Sequence, residues 1–369
     1  MAALAAIPLG AHREAPVKLS DTEFWKLTID LSEAGGSFRS DNILSNEMGF
    51  QTILTDLQKI VKPGIYMGVG PEQNFTYIAA VKPKMAIITD IRRGNLQLQL
   101  MYKALFEMAT DRADFVGMLF SKKRPEGLSA SAPANDIFAK YDAVPVNEAV
   151  YTDTWKRIID HLTKAPHQLP LGKDDIDGIK YVFDHFYTYG TAINYNSTQG
   201  SGRPGAMATY ESLMLANDGT GKQRSYLASD DAFTFMQDLE SKNLLVPVVG
   251  DFAGPKALRA VGSYIRDRGE TVMAFYLSNV EDYLPMGGTW EKFCSSVASL
   301  PLTEHLYLRR PGERRQLPRK RFGLVVPQHS GGCEAVQLQA VAKIRRNQPI
   351  SRLPDVEYSV LYSLGYSGL

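Results

Sequence analysis

Residues Gly64–Asn95 read GIYMGVGPEQNFTYIAAVKPKMAIITDIRRGN, and the order of elements along this stretch decides the fold. An apolar run, Ile65 to Val69, breaks at Gly68-Val69-Gly70. A helix-like segment, Phe75 to Val81, follows, and a second apolar run, Met85 to Ile88, leads into Asp90. Strand, glycine turn, helix, strand and acid make up the nucleotide-binding half of a Rossmann-type βαβ unit. The glycines let the backbone pass close to a ligand with no Cβ in the way. The helix start offers unpaired N–H groups and a positive dipole end. Asp90, about 20 residues beyond Gly70, stands at the tip of the second strand, where a carboxylate can accept from both ribose hydroxyls.

What is missing narrows the ligand. A dinucleotide fingerprint needs G-x-G-x-x-G, and the third glycine position here is Gln73, too large for the close helix–strand approach of a pyrophosphate site. The turn also lacks the Lys-Ser/Thr of a P-loop. A ligand with adenine and ribose but no phosphates fits better, which points to S-adenosylmethionine ahead of NAD.

The second half of the chain continues the pattern. Leu244 to Phe252 (LLVPVVGDF) is an apolar run ending in Gly250-Asp251. Pro255 to Arg268 is helical, with Leu258, Val261 and Ile265 at helical spacing. Thr271 to Leu284 has a buried-strand pattern that breaks at Ser278-Asn279. At this point the chain resembles the class I S-adenosylmethionine-dependent methyltransferases. The phrases SFRSDNILSNE, GVGPEQNFTYIAA, DIRRGN and GDFAGPKAL resemble those of a poorly characterised bacterial family with that fold.

The resemblance implies a set of roles. Gly68, Gly70, Glu72, Gln73 and Asn74 would lie at the methionine part of S-adenosylmethionine or S-adenosylhomocysteine. Asp90, with Ile91 and Arg92 beside it, would hold the ribose. Asp251 with Phe252 would meet adenine, and Ser278-Asn279 would face the transferred group. Two departures from the family pattern matter: Tyr66 replaces the acid that opens its first motif, and Glu72 replaces its third glycine. Glu72 and Glu47 are then the candidate carboxylates for the ligand's amino group.

Composition bounds the remaining readings. The chain has 369 residues, 44% of them hydrophobic, enough for a full core and against global disorder. A net charge of +1 supplies no field toward nucleic acid or membrane. No apolar run approaches the roughly 20 residues that span a bilayer. The cysteines, Cys294 and Cys333, show no CxxC spacing, which excludes a disulfide framework or a zinc–thiolate site and fits a reducing, cytoplasmic setting. The opening MAALAAIPLGAHREAP resembles the tail of a signal peptide without its basic region, so export is the alternative. The histidines form no HxH or HExxH motif, so no metal site is expected. The run RRPGERRQLPRKR at 309–321 lies between strand-like segments and without interleaved aromatics. It reads as a solvated hairpin loop rather than a nucleic-acid grip.

The expected architecture is a Rossmann-like, class I methyltransferase-like α/β fold. It has a mostly parallel sheet, helices on both faces, and a large helical insertion between the second and third core strands. A third strand normally follows roughly 20–30 residues after the second, yet the next strand-end acid after Asp90 is Asp251, about 160 residues on. The divisions expected are a helical segment 1–62 closing over the site, a core of 63–110 and 243–369, and a helical insertion 111–242. Helices are expected near Asp21–Leu31, Asn46–Val61, Leu96–Met108, Tyr151–Leu162, Asp174–Tyr189, Tyr210–Leu215 and Asp230–Ser241. Leaving from a strand's carboxyl end, the insertion would serve as a lid that recognises substrate.

Glu47, Ser278 and Asn279 are the candidate catalytic residues, and Ser45, Asn46, Arg93 and Tyr283 the candidate substrate contacts. Each has a plainer role available. Ser45 or Asn46 would cap a helix, Asn74 would cap the next one, and Arg92 and Arg93 would pair with nearby acids. Three functions remain open: a transferase using S-adenosylmethionine on a small or medium substrate, a non-catalytic adenosyl-ligand-binding or regulatory protein, and an NAD-dependent oxidoreductase.

Overall fold

This computed structural model describes residues 14–198, 207–284 and 288–302, with the backbone of 308–309 and 322–323. The N-terminal stretch 1–13, most of the Asn194–Gly205 loop, the basic run 310–321 and Cys333 lie outside the described residues.

Four strands form the core sheet: β1 (Ile65–Gly68), β2 (Met85–Asp90), β3 (Leu245–Val249) and β4 (Val272–Phe275). Their order is β3-β2-β1-β4 and every pairing is parallel. All strand residues are buried, which is why they read as continuous apolar runs rather than alternating ones. The order reverses between β1 and β4. In open parallel sheets this is where a crevice forms at the carboxyl ends of the strands.

The helices are α1 (Asp21–Leu31), α2 (Leu54–Ile60), α3 (Gln73–Val81), α4 (Arg93–Met108), α5 (Arg112–Leu119), α6 (Ala134–Asp142), α7 (Glu148–Thr163), α8 (Lys173–Tyr189), α9 (Tyr210–Leu215), α10 (Asp230–Ser241), α11 (Ala257–Arg266), α12 (Val280–Tyr283) and α13 (Trp290–Val297). α3 connects β1 to β2, and α4 to α10 occupy the chain between β2 and β3, as the spacing of the acids predicts. The α1 start is fixed by a capping box in which Ser20 and Glu23 satisfy each other's backbone N–H groups. The helix expected over Asn46–Val61 begins later, as a short 3₁₀ turn at Phe50–Ile53 running into α2. Neither Ser45 nor Asn46 is its cap.

The insertion shares the core of the sheet layer. Phe75 of α3 meets Tyr102 and Phe106 of α4 edge-on, with centroids 5.0 and 5.3 Å apart, and Phe106 stacks on Phe115 of α5 at 4.7 Å. α4, the first helix after β2, is buried along most of its length and packs against α7, α8 and α10. α1 packs along the edge strand β3 and against α11. Cys294 is buried in α13. Strands β5 (Leu308–Arg309) and β6 (Phe322–Gly323) pair antiparallel. No helix among the described residues is long and apolar enough to cross a membrane.

Candidate functional site

All four strand ends open onto one cavity of about 790 Å³, counted to its mouth. Gly70 and Gln73 come from the turn after β1, Asp90, Ile91 and Arg92 from the end of β2, Asp251 and Phe252 from the end of β3, and Ser278, Asn279 and Tyr283 from beyond β4. The leading segment supplies the opposite wall through Ser45, Asn46 and Glu47.

That segment is laid across the carboxyl edge of the sheet by backbone bonds. The Glu33 N–H donates to Val249 O at 2.9 Å and the Gly36 N–H to Ile91 O at 2.8 Å. The Glu33 carboxylate accepts from the N–H groups of Asp251 and Lys256, both at 2.9 Å, and so occupies the start of α11. Phe38, Asn42 and Tyr276 line the pocket as well, and sequence reading missed them. Phe38 meets the Tyr283 ring edge-on at 5.0 Å, and Arg39 donates to the Tyr283 hydroxyl at 2.6 Å. The SFRSDN phrase carried the signal for this wall, but no periodicity marks an extended segment of this kind.

The glycine turn is held rigid from within. Asn74 donates to Val69 O and Pro71 O at 2.9 and 2.8 Å and accepts from the Tyr66 hydroxyl at 2.9 Å. Gln99 of α4 donates to Gly70 O at 3.1 Å. Gly70 has φ +80°, a conformation that L side chains rarely adopt. Gly68 has a different reason: a Cβ there would lie 2.0 Å from Asn74 Oδ1 and 2.9 Å from the Tyr66 ring. Gly68→Ala is therefore expected to displace the Asn74 clamp and cost about 1–3 kcal/mol, read as a lower denaturation midpoint at unchanged m value.

Several expected contacts are corrected. Gly68, Glu72 and Asn74 do not line the cavity, because they build the turn behind it. Glu72 is the residue preceding α3 and is wholly buried, with both carboxylate oxygens 3.3 Å from the Ser45 N–H. Burial, with Glu47 nearby, pushes its carboxyl up to about 8 against the backbone N–H groups that lower it. The carboxyl makes no capping bond to α3 and turns instead to the leading segment. Arg93 is turned away from the cavity and grips Asp175 of α8 with two bonds of 2.7 Å. No described residue of the insertion lines the cavity, so the described walls over this pocket are the leading segment and α12 rather than residues 111–242.

Two of the three candidate catalytic residues, Glu47 and Ser278, share a network with Gln73 and Ser45. Ser278 donates to Glu47 Oε1 at 2.7 Å, and Gln73 donates to Glu47 Oε2 at 2.8 Å and contacts the Tyr77 hydroxyl at 2.7 Å. The Ser45 hydroxyl bonds Gln73 Oε1. Ser278 has φ +51°, which sharpens the exit from β4. Asn279 donates weakly to the Tyr283 hydroxyl at 3.4 Å.

Asp90 carries a partner that sequence reading weighed only as an alternative. Arg92 embraces it, with Nε 3.0 Å from Oδ1 and Nη2 2.7 Å from Oδ2, while the Arg92 N–H donates to Oδ1 at 2.9 Å. A carboxylate has about four acceptor positions, and three are used, leaving one toward the cavity. Asp251 Oδ1 accepts from the Ala253 N–H at 2.9 Å.

The chain matches the family described as a domain of unknown function, DUF7790, over residues 42–139 and 193–330. It belongs to that family. The matched stretches contain the glycine turn, Asp90, Asp251 and Ser278-Asn279, and all strands of the core sheet. No curated protein matches the chain.

Proposed function

We propose that the cavity binds an adenosyl ligand, S-adenosylmethionine or S-adenosylhomocysteine, and that the protein is a transferase moving the methyl group to a small or medium substrate. One observation carries this reading. The pocket gathers four parallel strand ends, yet its lining carries Gln73 where a pyrophosphate site needs a glycine. Gln73 at that position also argues against an NAD-dependent oxidoreductase, whose pyrophosphate needs the close helix–strand approach.

In this reading adenine lies toward Asp251 and Phe252, ribose toward Asp90, and the sulfonium toward Ser278-Asn279. The substrate's lone pair attacks the methyl carbon, the carbon–sulfur bond breaks, and the electron pair returns to sulfur to give a neutral thioether. Alignment and exclusion of water supply most of the rate in such a transfer. Glu47, fixed by Ser278 and Gln73, is placed to accept the proton that the nucleophile releases.

The altered first motif, with Tyr66 in place of its acid and Glu72 in place of its third glycine, favours a second reading, a non-catalytic adenosyl-ligand-binding or regulatory protein. Calorimetric titration with S-adenosylmethionine, S-adenosylhomocysteine and NAD separates the adenosyl readings from the oxidoreductase. Formation of S-adenosylhomocysteine with a metabolite pool separates transferase from binding protein. Asn279→Ala is expected to lower turnover on the order of tenfold or more while affinity for the adenosyl ligand changes little. Equal losses in both would remove Asn279 from the reaction centre.

A further inference from the structure

We propose that Glu107, His161 and His167 form a binding site for a divalent transition-metal ion, with zinc the best match, remote from the cavity. Glu107 lies in the last turn of α4, His161 in the last turn of α7, and His167 in the loop that follows. Both imidazole Nε2 atoms converge on one oxygen, Glu107 Oε2, that of His161 at 2.6 Å. The three ligand atoms lie within 4.8 Å of one another, and the two rings stand at 76° with centroids 4.8 Å apart. Two imidazoles and one carboxylate with an open fourth position are a zinc donor set.

The surroundings are those of a supported site. Glu107 Oε1 accepts from Lys103 at 2.6 Å, which leaves Oε2 to the ion. Lys103 is itself held by Glu240 O at 2.6 Å. His167 Nδ1 bonds Asp21 Oδ1, and Asn243 donates to that same oxygen at 3.0 Å. A carboxylate on Nδ1 fixes the tautomer that presents the Nε2 lone pair to a metal. Glu107 and Asp21 outweigh Lys103 by one negative charge, so a cation does not meet a positive field. The His161 side chain is 17% exposed, giving the ion an entry and a water position. None of these residues lines the cavity, and Glu107 stands about 21 Å along α4 from Arg93 at 1.5 Å per residue. The ion would tie α7 to α4 and, through Asp21, to α1.

The test uses the untagged full chain, stripped with a chelator and titrated with zinc chloride. The expected result is one ion per chain with Kd of about 1 µM or tighter, together with a rise in Tm of a few degrees. Cobalt in its place should give the visible absorption of a four-coordinate ion. His161→Ala, at a partly exposed position, is expected to keep the fold by circular dichroism and lose at least tenfold in zinc affinity, as is His167→Ala. His185→Ala on α8 should bind as the parent does. Absence of stoichiometric binding in the parent chain, or unchanged affinity in His161→Ala, overturns the proposal.

Discussion

Asp90→Ala is expected to lower unfolding stability by about 3–5 kcal/mol, the usual cost of removing one partner from a buried ion pair. Asp90 and Arg92 side chains are only 5% and 10% exposed, so the guanidinium cannot recover its lost bonds from bulk water. Its other contact is Ser40 O, at a long 3.5 Å. Urea unfolding should show a reduced midpoint at unchanged m value. The double variant Asp90→Asn with Arg92→Met removes both charges together and should recover most of that stability, because neither ion is then left alone. It also separates two roles. If Asp90 accepts from a ribose hydroxyl, the recovered double variant still binds adenosyl ligands more weakly by roughly 1–3 kcal/mol. A loss in the double variant as large as that of Asp90→Ala would show that an unpaired buried charge is not the cause of the destabilisation.

The pair also shows where sequence reading stops. The strands, the parallel sheet and the large insertion follow from local signals: apolar runs, a glycine turn, and acids at strand ends. The helices at Asp21–Leu31, Tyr210–Leu215 and Asp230–Ser241 fall where periodicity puts them. α5 and α6 escape it. α5 is buried on nearly every side, so its apolar residues define no single face. Partner choice is the harder matter. Nothing in DIRRGN tells whether Arg92 or Arg93 turns back onto Asp90. The structure gives Asp90 to Arg92 and sends Arg93 to Asp175, which is distant in sequence. Likewise, Glu107 meets histidines from another helix and its following loop, and Glu33 reaches the start of α11 across the sheet. Such pairs have no period, so only the folded chain displays them. The pocket lining was more legible because strand ends in a parallel sheet must share one edge, whatever the side chains on them do.

Glu72→Gln is expected to leave stability nearly unchanged near pH 4, to raise it by about 2 kcal/mol near pH 6, and to raise it by several kcal/mol at pH 8 and above. The cause is burial, which holds the Glu72 carboxyl protonated in the folded protein up to about pH 8. In the unfolded chain an ordinary glutamate loses its proton near 4.3. Between those values the folded state binds one proton more than the unfolded state, so unfolding stability falls as pH rises. Below the unfolded value both states are protonated and the group exerts no pH dependence. Above about 8 both are ionised and the destabilisation is at its maximum. Glutamine keeps an oxygen for the Ser45 N–H and the volume of the protonated acid, but has no charge to desolvate beside Glu47. Unfolding curves collected from pH 4 to 9 should therefore diverge between about pH 4 and pH 8 and run parallel above it, with the variant the more stable. The same experiment bears on the pocket, since Ser45 links Glu72 to Gln73 and through it to Glu47. Ionising Glu72 sets a charge against Glu47 in the pocket wall, so adenosyl-ligand affinity in the parent should fall above pH 8 and the variant should hold it. Parallel stability curves for the two proteins from pH 4 to 8 would show that Glu72 is ionised in the folded protein throughout.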